Sequence, residues 1–345
     1  MQLPDGQIDS SAQGPDGILS CSSRMFQVEN GIAKYVGNTF VNITIQLFLN
    51  METPQSQLTY VLITPAWNEK DFIERTIESV LTQTIRPVRW VIVSDGSTDG
   101  TDDIVRRYAD RFDWIELLRQ PDRTERHFAG KVHAFNAGYA RVKDLDFEII
   151  GNLDADISFE SDYIGFLLDR FAEAPRLGVA GTIFWEGNSI CDYQFNSLED
   201  VTGACQLFRR ECFQAIGGYQ PVKTGGIDLI AALSARFKGW QTRTFTEKVF
   251  MHHRETGSGQ RKNLLGRFRA GRNDYLLGCH PAWEAFRSIY HMKNRPYVVG
   301  GGLLLIGYLW TMLCGNKRAM PAELIEFRQN DQMTRLRNIL VPRKR

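Results

Sequence analysis

From Leu58 onward the chain alternates short apolar runs with longer segments of helical period. Leu58–Thr64 is β-branched and apolar throughout, which predicts a buried strand. In Asp71–Thr84 the residues Phe72, Ile73, Ile77, Val80 and Leu81 recur near helical spacing, with Glu74 and Glu78 facing out, so an amphipathic helix is expected. Trp90–Val93 predicts a second buried strand. Thr101 or Asp102 is placed to cap a helix reaching about Phe112. Strands are expected at Trp114–Arg119 and Phe147–Leu153, with a helix over Gly130–Lys143 between them. This alternation predicts an α/β fold with a mostly parallel, Rossmann-like sheet flanked by helices. Such sheets bind ligands outside the carboxyl ends of their strands. The polar segments Pro65–Glu69, Ser94–Gly100 and Asp154–Asp156 all follow strands.

The second half is more mixed. Helices are expected over Asp162–Ala174, Glu211–Ile216 and Ile227–Lys238, and strands over Gly178–Trp185, Cys205–Arg209, Gln241–Thr246 and, just before His252 and His253, Val249–Met251. A basic, glycine-punctuated stretch (Arg254–Arg272) leads to an uncharged segment, Tyr297–Cys314, and a charged C-terminal helix. The eighteen uncharged residues stand between Lys293 and Arg295 on one side and Lys317 and Arg318 on the other. That length lies near the short end of a membrane span, about 17 residues. Tyr297, Tyr308 and Trp310 suit an interface. The four glycines suit a re-entrant element or hairpin. Membrane contact is expected, by a span or by interfacial insertion.

The first fifty residues differ from the rest. Asp5–Arg24 is polar and expected to be poorly ordered, and Val36–Met51 reads as a strand or short surface helix. Met51 is an alternative start. The expected organisation is an N-terminal extension at 1–57, partly disordered, a catalytic α/β domain at 58–275, and a C-terminal helical region at 276–345.

Composition changes this picture little. The 345 residues carry 41 basic and 40 acidic side chains, a net charge of +1. No nucleic-acid partner is expected, because such binders are more often clearly basic. The mean hydropathy of -0.28 excludes a polytopic membrane protein. Six scattered cysteines form no Cys-x-x-Cys pair, so reduced thiols are expected. Residues 1–30 lack a basic start followed by an apolar core, so a cytosolic catalytic part is expected.

Four segments carry chemistry. In Asn152-Leu153-Asp154-Ala155-Asp156, two carboxylates one residue apart at a strand end can both reach a hard divalent cation, Mg²⁺ or Mn²⁺. Such an ion would neutralise a diphosphate. Asp95, in Ser94-Asp95-Gly96-Ser97-Thr98-Asp99-Gly100, is placed to accept a base N–H or ribose hydroxyls, while Asp99 and Thr101 serve as well as a turn and helix cap. Thr64-Pro65-Ala66-Trp67-Asn68-Glu69 ends the first strand. Gly130-Lys131 opens a helix, where a cation and free N–H groups suit a phosphate. The Walker spacing is absent, which disfavours a nucleoside triphosphatase.

Taken in order, these segments resemble the family 2 glycosyltransferases, nucleotide-sugar-dependent enzymes of the GT-A fold, over roughly Thr59–Arg272. The resemblance implies that Pro65, Asn68, Glu69 and Asp95 hold the nucleoside, that Lys131 and Asn136 contact the donor, and that Asp154 and Asp156 carry the metal and sugar diphosphate. It implies an inverting, metal-dependent enzyme that uses Mn²⁺ or Mg²⁺ and a nucleotide-diphospho-sugar, most often a UDP-sugar. Its catalytic carboxylate corresponds to Asp228, where the family's preceding acid is missing; Asp228 also suits a helix N-cap, and Glu199 and Asp200 stand in reserve. A third metal ligand is expected from His252 or His253, with His253 taken as the ligand. Thr202-Gly203-Ala204-Cys205 resembles the small-residue loop beneath the acceptor. The basic residues Arg254, Arg261, Lys262, Arg267, Arg269 and Arg272 suit a diphosphate or an anionic lipid-phosphate acceptor. The Gln-x-x-Arg-Trp motif of processive synthases is absent, which points to single-sugar transfer. The acceptor implied is a glycan or lipid-linked species of cell-envelope or extracellular polysaccharide synthesis, at the inner face of the cell membrane. An inactive scaffold of the same fold, suggested by the missing acid, and a nucleotidyltransferase, disfavoured by the lack of a Gly-rich Arg-Lys loop, are the other readings.

Overall fold

The computed structural model describes residues 18–21, 24–29, 32–35, 45–46, 58–121, 128–187, 189–190, 197–222, 225–254, 264–293 and 297–341. Met1–Gln55 and Ser56–Arg345 are separate compact units. The first contains an antiparallel sheet of β1 (Ile18–Cys21), β2 (Arg24–Glu29), β3 (Ile32–Tyr35) and β4 (Ile45–Gln46) in sequential order. Of the segment expected to be poorly ordered, residues 18–21 are a strand and 5–17 lie outside the described residues. Of Val36–Met51 only Ile45–Gln46 is described.

The second unit is built on a nine-stranded sheet. Its first half follows the alternation legible in the sequence: β5 (Tyr60–Ala66), α1 (Ile73–Leu81), β6 (Arg89–Ser94), α2 (Thr101–Ala109), β7 (Ile115–Arg119), α3 (Phe128–Val142) and β8 (Ile149–Leu153). The four strands are parallel in the order β7-β6-β5-β8. Side chains alternate across a strand, and this divides the core into two layers. Val61, Ile63, Val91 and Val93 join one buried cluster with Val132 and Phe135 of α3. Tyr60, Leu62, Trp90 and Ile92 join the other with Ile73, Ile77 and Val80 of α1. A strand buried on both faces reads as a continuous apolar run, and these do.

Beyond β8 come β9 (Ile157–Phe159), α4 (Tyr163–Glu173), β10 (Leu177–Glu186), β11 (Ser189–Ile190), β12 (Cys205–Arg209), α5 (Arg210–Ala215), α6 (Ile227–Phe237) and β13 (Gln241–His252). The sheet continues from β8 through β12, β10 and β13 to β9, with β11 paired on β10. β12 runs antiparallel to both β8 and β10, and β9 antiparallel to β13. The result is the mostly parallel sheet flanked by helices that the GT-A resemblance implies.

Two departures from the sequence expectation matter for the site. β13 runs as one strand to His252 where two, Gln241–Thr246 and Val249–Met251, are expected: its register against β10 shifts between Thr182 and Ile183, where the partners jump from Phe245 to Val249. Such an irregularity interrupts the period-two pattern without ending the strand. The short β9 was not expected, and its Ile157 pairs with His252.

Among the described residues four helices follow β13: α7 (Leu264–Leu276), α8 (Pro281–His291), α9 (Val299–Leu313) and α10 (Ala322–Leu340). α7 packs on α9, across the boundary expected at residue 275. Glycine sets that packing. A Cβ on Gly271 would strike the backbone of Leu304, and one on Gly307 would strike the backbone of Phe268. Gly301 approaches the backbone of Ser288 on α8 in the same way. The glycines of the uncharged segment therefore admit close helix–helix contact within an unbroken helix. Cys279, Trp283, Tyr308 and Leu336 form a small buried core here, while Leu324 and Ile325 of α10 join the main core. α9 has fifteen residues, about 22 Å at 1.5 Å per residue. Among the described residues no helix is long and apolar enough to cross a membrane.

Candidate active site

The loops after β5 and β6 are laced together by side chains. Asn68 adopts a left-handed backbone, φ 55°, a conformation asparagine tolerates better than most residues. Its N–H donates to Ser97 Oγ at 3.0 Å, and its Oδ1 accepts from the Thr98 N–H at 2.9 Å. The Glu69 N–H donates to Thr101 Oγ1 at 2.8 Å, and the Lys70 N–H to Asp99 Oδ2 at 3.0 Å. Asp99 also accepts from the N–H and hydroxyl of Thr101. Burial would raise its carboxyl, but these hydrogen bonds hold it below the usual value. Asp99 and Thr101 thus brace the turn and the start of α2. Asp95, only 8% exposed, follows β6 directly, and its N–H donates to the Ala66 carbonyl at 2.8 Å. Pro65 lies within β5 beside Val93 of β6.

The acidic centre lies where β8, β9 and β13 meet. Oxygens of Asp154 and Asp156 and a ring nitrogen of His252 all lie within 4.8 Å of one another. The Asp154 N–H donates to the Ala204 carbonyl at 2.8 Å, which fixes the start of the loop. The His253 N–H donates to the Asp156 carbonyl at 2.9 Å, so backbone pairing between the β9 and β13 ends carries the histidine to the acids. Two carboxylates and an imidazole suit a divalent ion such as Mn²⁺ or Mg²⁺.

Cations already flank the pair. Lys131 Nζ contacts Asp154, and Arg254 contacts Glu69 while its Nε lies 3.6 Å from Asp156. His252 Nε2 is 3.4 Å from Asp156 Oδ1. Burial pushes the Asp154 carboxyl up, against the pull of Lys131. Burial acts in the same direction on Asp156, but His252 and Arg254 bring it below the usual carboxylate value. His252 is driven down by burial and up by Asp156 and Asp154, with a net rise.

His253 does not join this group. Its Nε2 lies 2.8 Å from Ser158 Oγ and its Nδ1 3.4 Å from Arg75 Nη1. Burial, then Arg75, lowers its pKa. His252 is the last residue of β13 and His253 lies just beyond it, and only His252 is grouped with the two acids. The geometry selects His252 in place of the expected His253.

Asp228 sits in the first turn of α6, after Gly226 as N-cap, and no side chain caps that helix. Its Oδ2 accepts from the Gly203 N–H at 3.0 Å. A Cβ on Gly203 would lie 2.9 Å from the Asp228 Cβ, so the loop needs glycine at this approach. Gly203 also accepts from Asn152 Nδ2. One short loop therefore joins Asp228 to the end of β8. Glu199 and Asp200 have other partners: Arg236 reaches them at 2.8 and 2.9 Å, and Arg335 of α10 at 3.5 and 3.3 Å.

The predicted residues thus fall into three groups. Asp95, Lys131, Asp154 and Asp156 lie at the strand ends or the acidic centre, with Asp228 one loop away. Asn68 and Glu69 build the surrounding structure, through Ser97 and Thr98 and through Arg254. Asn136 is exposed and lies about 140° around α3 from Lys131 at 100° per residue. Of the basic run, Arg254 reaches the site, Arg269 and Arg272 are exposed on α7, and Arg261 and Lys262 lie outside the described residues. The bridging position of Arg254 follows from the pairing of β13 with β9, and the roles of Asn152 and Gly203 from that of β8 with β12, for which the sequence carries no local signal.

Residues 61–198 match the family described as "Glycosyl transferase family 2". A poly-beta-1,6-N-acetyl-D-glucosamine synthase of Staphylococcus aureus is 29% identical over 202 residues, 56% of this chain and 44% of that protein. The synthase of Staphylococcus epidermidis is 28% identical over 112 residues, 32% of this chain and 25% of the relative. The chain spans less than half the length of these curated relatives. Among solved structures, a mannosyltransferase, PcManGT, from Pyrobaculum calidifontis in complex with GDP-Man and Mn²⁺ has a TM-score of 0.49 at 17% identity, covering 83% of this chain and 81% of that one. S. aureus TarS 1-349 in complex with UDP-GlcNAc has a TM-score of 0.49 at 12% identity, covering 74% and 73%. Over residues 61–198 the chain is thus similar to the family 2 glycosyltransferases.

Proposed function

We propose that this protein is an inverting, divalent-metal-dependent glycosyltransferase. It moves a single sugar from a nucleotide-diphosphate donor, a UDP-sugar, to a hydroxyl of a glycan or lipid-linked acceptor in cell-envelope or extracellular polysaccharide synthesis. Its catalytic part works in the cytoplasm, in contact with the inner face of the membrane. The observation that carries this reading is the Asp154–Asp156–His252 group beyond the carboxyl end of β8, with the buried Asp95 at the end of β6 in the same parallel sheet. The relatives' printed names support polysaccharide synthesis as the setting.

In this reading Asp95 holds the nucleoside, and the laced loops after β5 and β6 present it in a fixed position. Asp154, Asp156 and His252 would hold Mn²⁺ or Mg²⁺, and the ion would supply charge neutralisation for a diphosphate. Lys131 and Arg254 turn from the carboxylates toward the phosphates as the donor binds. Asp228 accepts the proton of the acceptor hydroxyl. The acceptor oxygen forms its bond to the anomeric carbon from the face opposite the departing phosphate oxygen, the carbon–oxygen bond to the diphosphate breaks, and the electron pair leaves with the nucleoside diphosphate. The Gly203 N–H on Asp228 keeps that carboxylate aimed.

The test is release of UDP from a panel of UDP-sugars with Mn²⁺, beginning with UDP-GlcNAc, for wild type and Asp156→Ala. Metal-dependent release by wild type, reduced at least ~100-fold in the variant, is expected. No metal-dependent turnover and no nucleotide binding with any donor would sink the enzyme reading.

A further inference from the structure

A helix that is apolar on every side is normally buried all round. α9 is apolar on every side, yet protein covers only half of it. Its glycine-bearing face, at 300, 301, 304, 307, 308 and 311, is buried against α7 and α8. The opposite stripe, at 302, 306, 309, 310 and 313, has helical spacing of its own. Ile306 is 53% exposed, Trp310 61% and Leu313 79%. Nothing lies within 4 Å of the Cβ position of Gly302. Tyr297 and Val298, at the N-terminal end, are also exposed.

The segment that carries this face has one sign of charge along the chain. Between Glu284 and Glu323 it holds no acidic residue; of its five basic ones Arg287 is paired with Asp274 and Glu284, which leaves Lys293, Arg295, Lys317 and Arg318 on the two flanks. Lys293 and Lys317 are exposed and stand beyond the two ends of α9. An apolar, Trp-bearing helix face with cations at both ends matches the layering of an anionic bilayer surface: acyl chains beneath, phosphates at the rim.

We infer that the outer face of α9 is a monotopic docking surface for anionic lipid, with Ile306, Trp310 and Leu313 inserted among the acyl chains and Lys293 and Lys317 on the headgroup phosphates. The helix lies in the interface and does not cross it. This rests on the proposed work at a membrane. It adds the face, the mode and the lipid charge, and would hold an acceptor carried on lipid within reach of the transferase.

The test is co-sedimentation of the full chain with vesicles, compared with UDP release by the same samples. Wild type should bind phosphatidylcholine vesicles containing ~30 mol% phosphatidylglycerol at least ~10-fold more tightly than phosphatidylcholine alone. The pair Ile306→Glu and Trp310→Glu should abolish binding without changing the far-UV spectrum or the melting temperature by more than a few degrees. The pair Lys293→Gln and Lys317→Gln should remove only the preference for anionic vesicles. Equal binding by wild type and the glutamate variant overturns the inference. So does a wild-type dimer that this variant dissociates, with no vesicle binding, because a second copy would then cover the face. UDP release separates the two proposals: vesicle binding lost with turnover intact in wild type removes the docking surface alone, and vesicle binding intact without turnover supports the surface while removing the transferase.

Discussion

The strand-end loops and the C-terminal helices solve opposite problems. Around Asp95 and Asp154 the loops are tied by side-chain hydrogen bonds and ion pairs: Asn68 holds Ser97 and Thr98, Asp99 holds Lys70 and Thr101, and Arg254 joins Glu69 to Asp156. Such networks fix geometry, because each unmade bond would cost free energy. In the helical region the cohesion is steric. Gly271 and Gly307 let two backbones touch, and the outer face of α9 is left uncovered. The site is specified by polar satisfaction, and the helical layer by small residues at a crossing. Substitutions in the two regions should therefore fail differently, one losing chemistry without stability and the other losing stability first.

The largest expected effect is on chemistry. Asp156→Ala should lower metal-dependent UDP release at least ~100-fold, equivalent to about 3 kcal/mol, while the melting temperature stays within a few degrees of wild type. A large fall in stability with this variant would erase the contrast between the regions. Next is the helix crossing. Gly307→Leu puts a side chain where the Phe268 backbone lies, so thermal denaturation should show a loss of about 3 kcal/mol or more. A stability like that of wild type would show that the close contact between α7 and α9 does not exist.

A smaller effect separates the two histidines. His252→Ala should weaken Mn²⁺ binding about 10-fold or more, whereas His253→Ala, which removes contacts to Ser158 and Arg75, should leave it unchanged. Isothermal titration of both variants reads the difference.

The smallest effect lies in the helical region and depends on pH. Glu284 is fully buried. Burial, then Asp274, raises its carboxyl to about 8, against the opposing pull of Arg287. The folded chain therefore keeps a proton that the unfolded chain releases at its ordinary value of 4.5. The corresponding contribution to stability is present at low pH and is lost as pH rises through that window to about 8. A melting temperature that falls by a few degrees between these limits in wild type, and less in Glu284→Gln, is expected. An identical slope in the two proteins would remove Glu284 as its source.

The same contrast explains what the sequence disclosed. Buried parallel strands such as Tyr60–Ala66 and Arg89–Ser94 are continuous apolar runs bounded by polar loops, so the sheet and its ligand-bearing ends were legible, with Asp95, Asp154 and Asp156 upon them. What depended on pairing between distant strands was not. The choice of His252 over His253 turns on a register shift in β13 and on β9, three residues with no pattern of their own. The commitment of Glu199 and Asp200 to Arg236 and Arg335 turns on where α10 docks. The glycines of Tyr297–Cys314 pointed to a hairpin or re-entrant element as readily as to a helix, until the backbones they face were known.

The account turns most directly on whether Asp154, Asp156 and His252 hold a metal together. Titration of the full chain with Mn²⁺ in the presence of UDP, followed by electron paramagnetic resonance, measures this without any acceptor. The prediction is a single saturable site with nitrogen coupling to the ion, abolished in Asp156→Ala, deprived of its nitrogen in His252→Ala and unaltered in His253→Ala. Mn²⁺ binding that survives Asp156→Ala, or nitrogen coupling that disappears with His253 instead of His252, would contradict it.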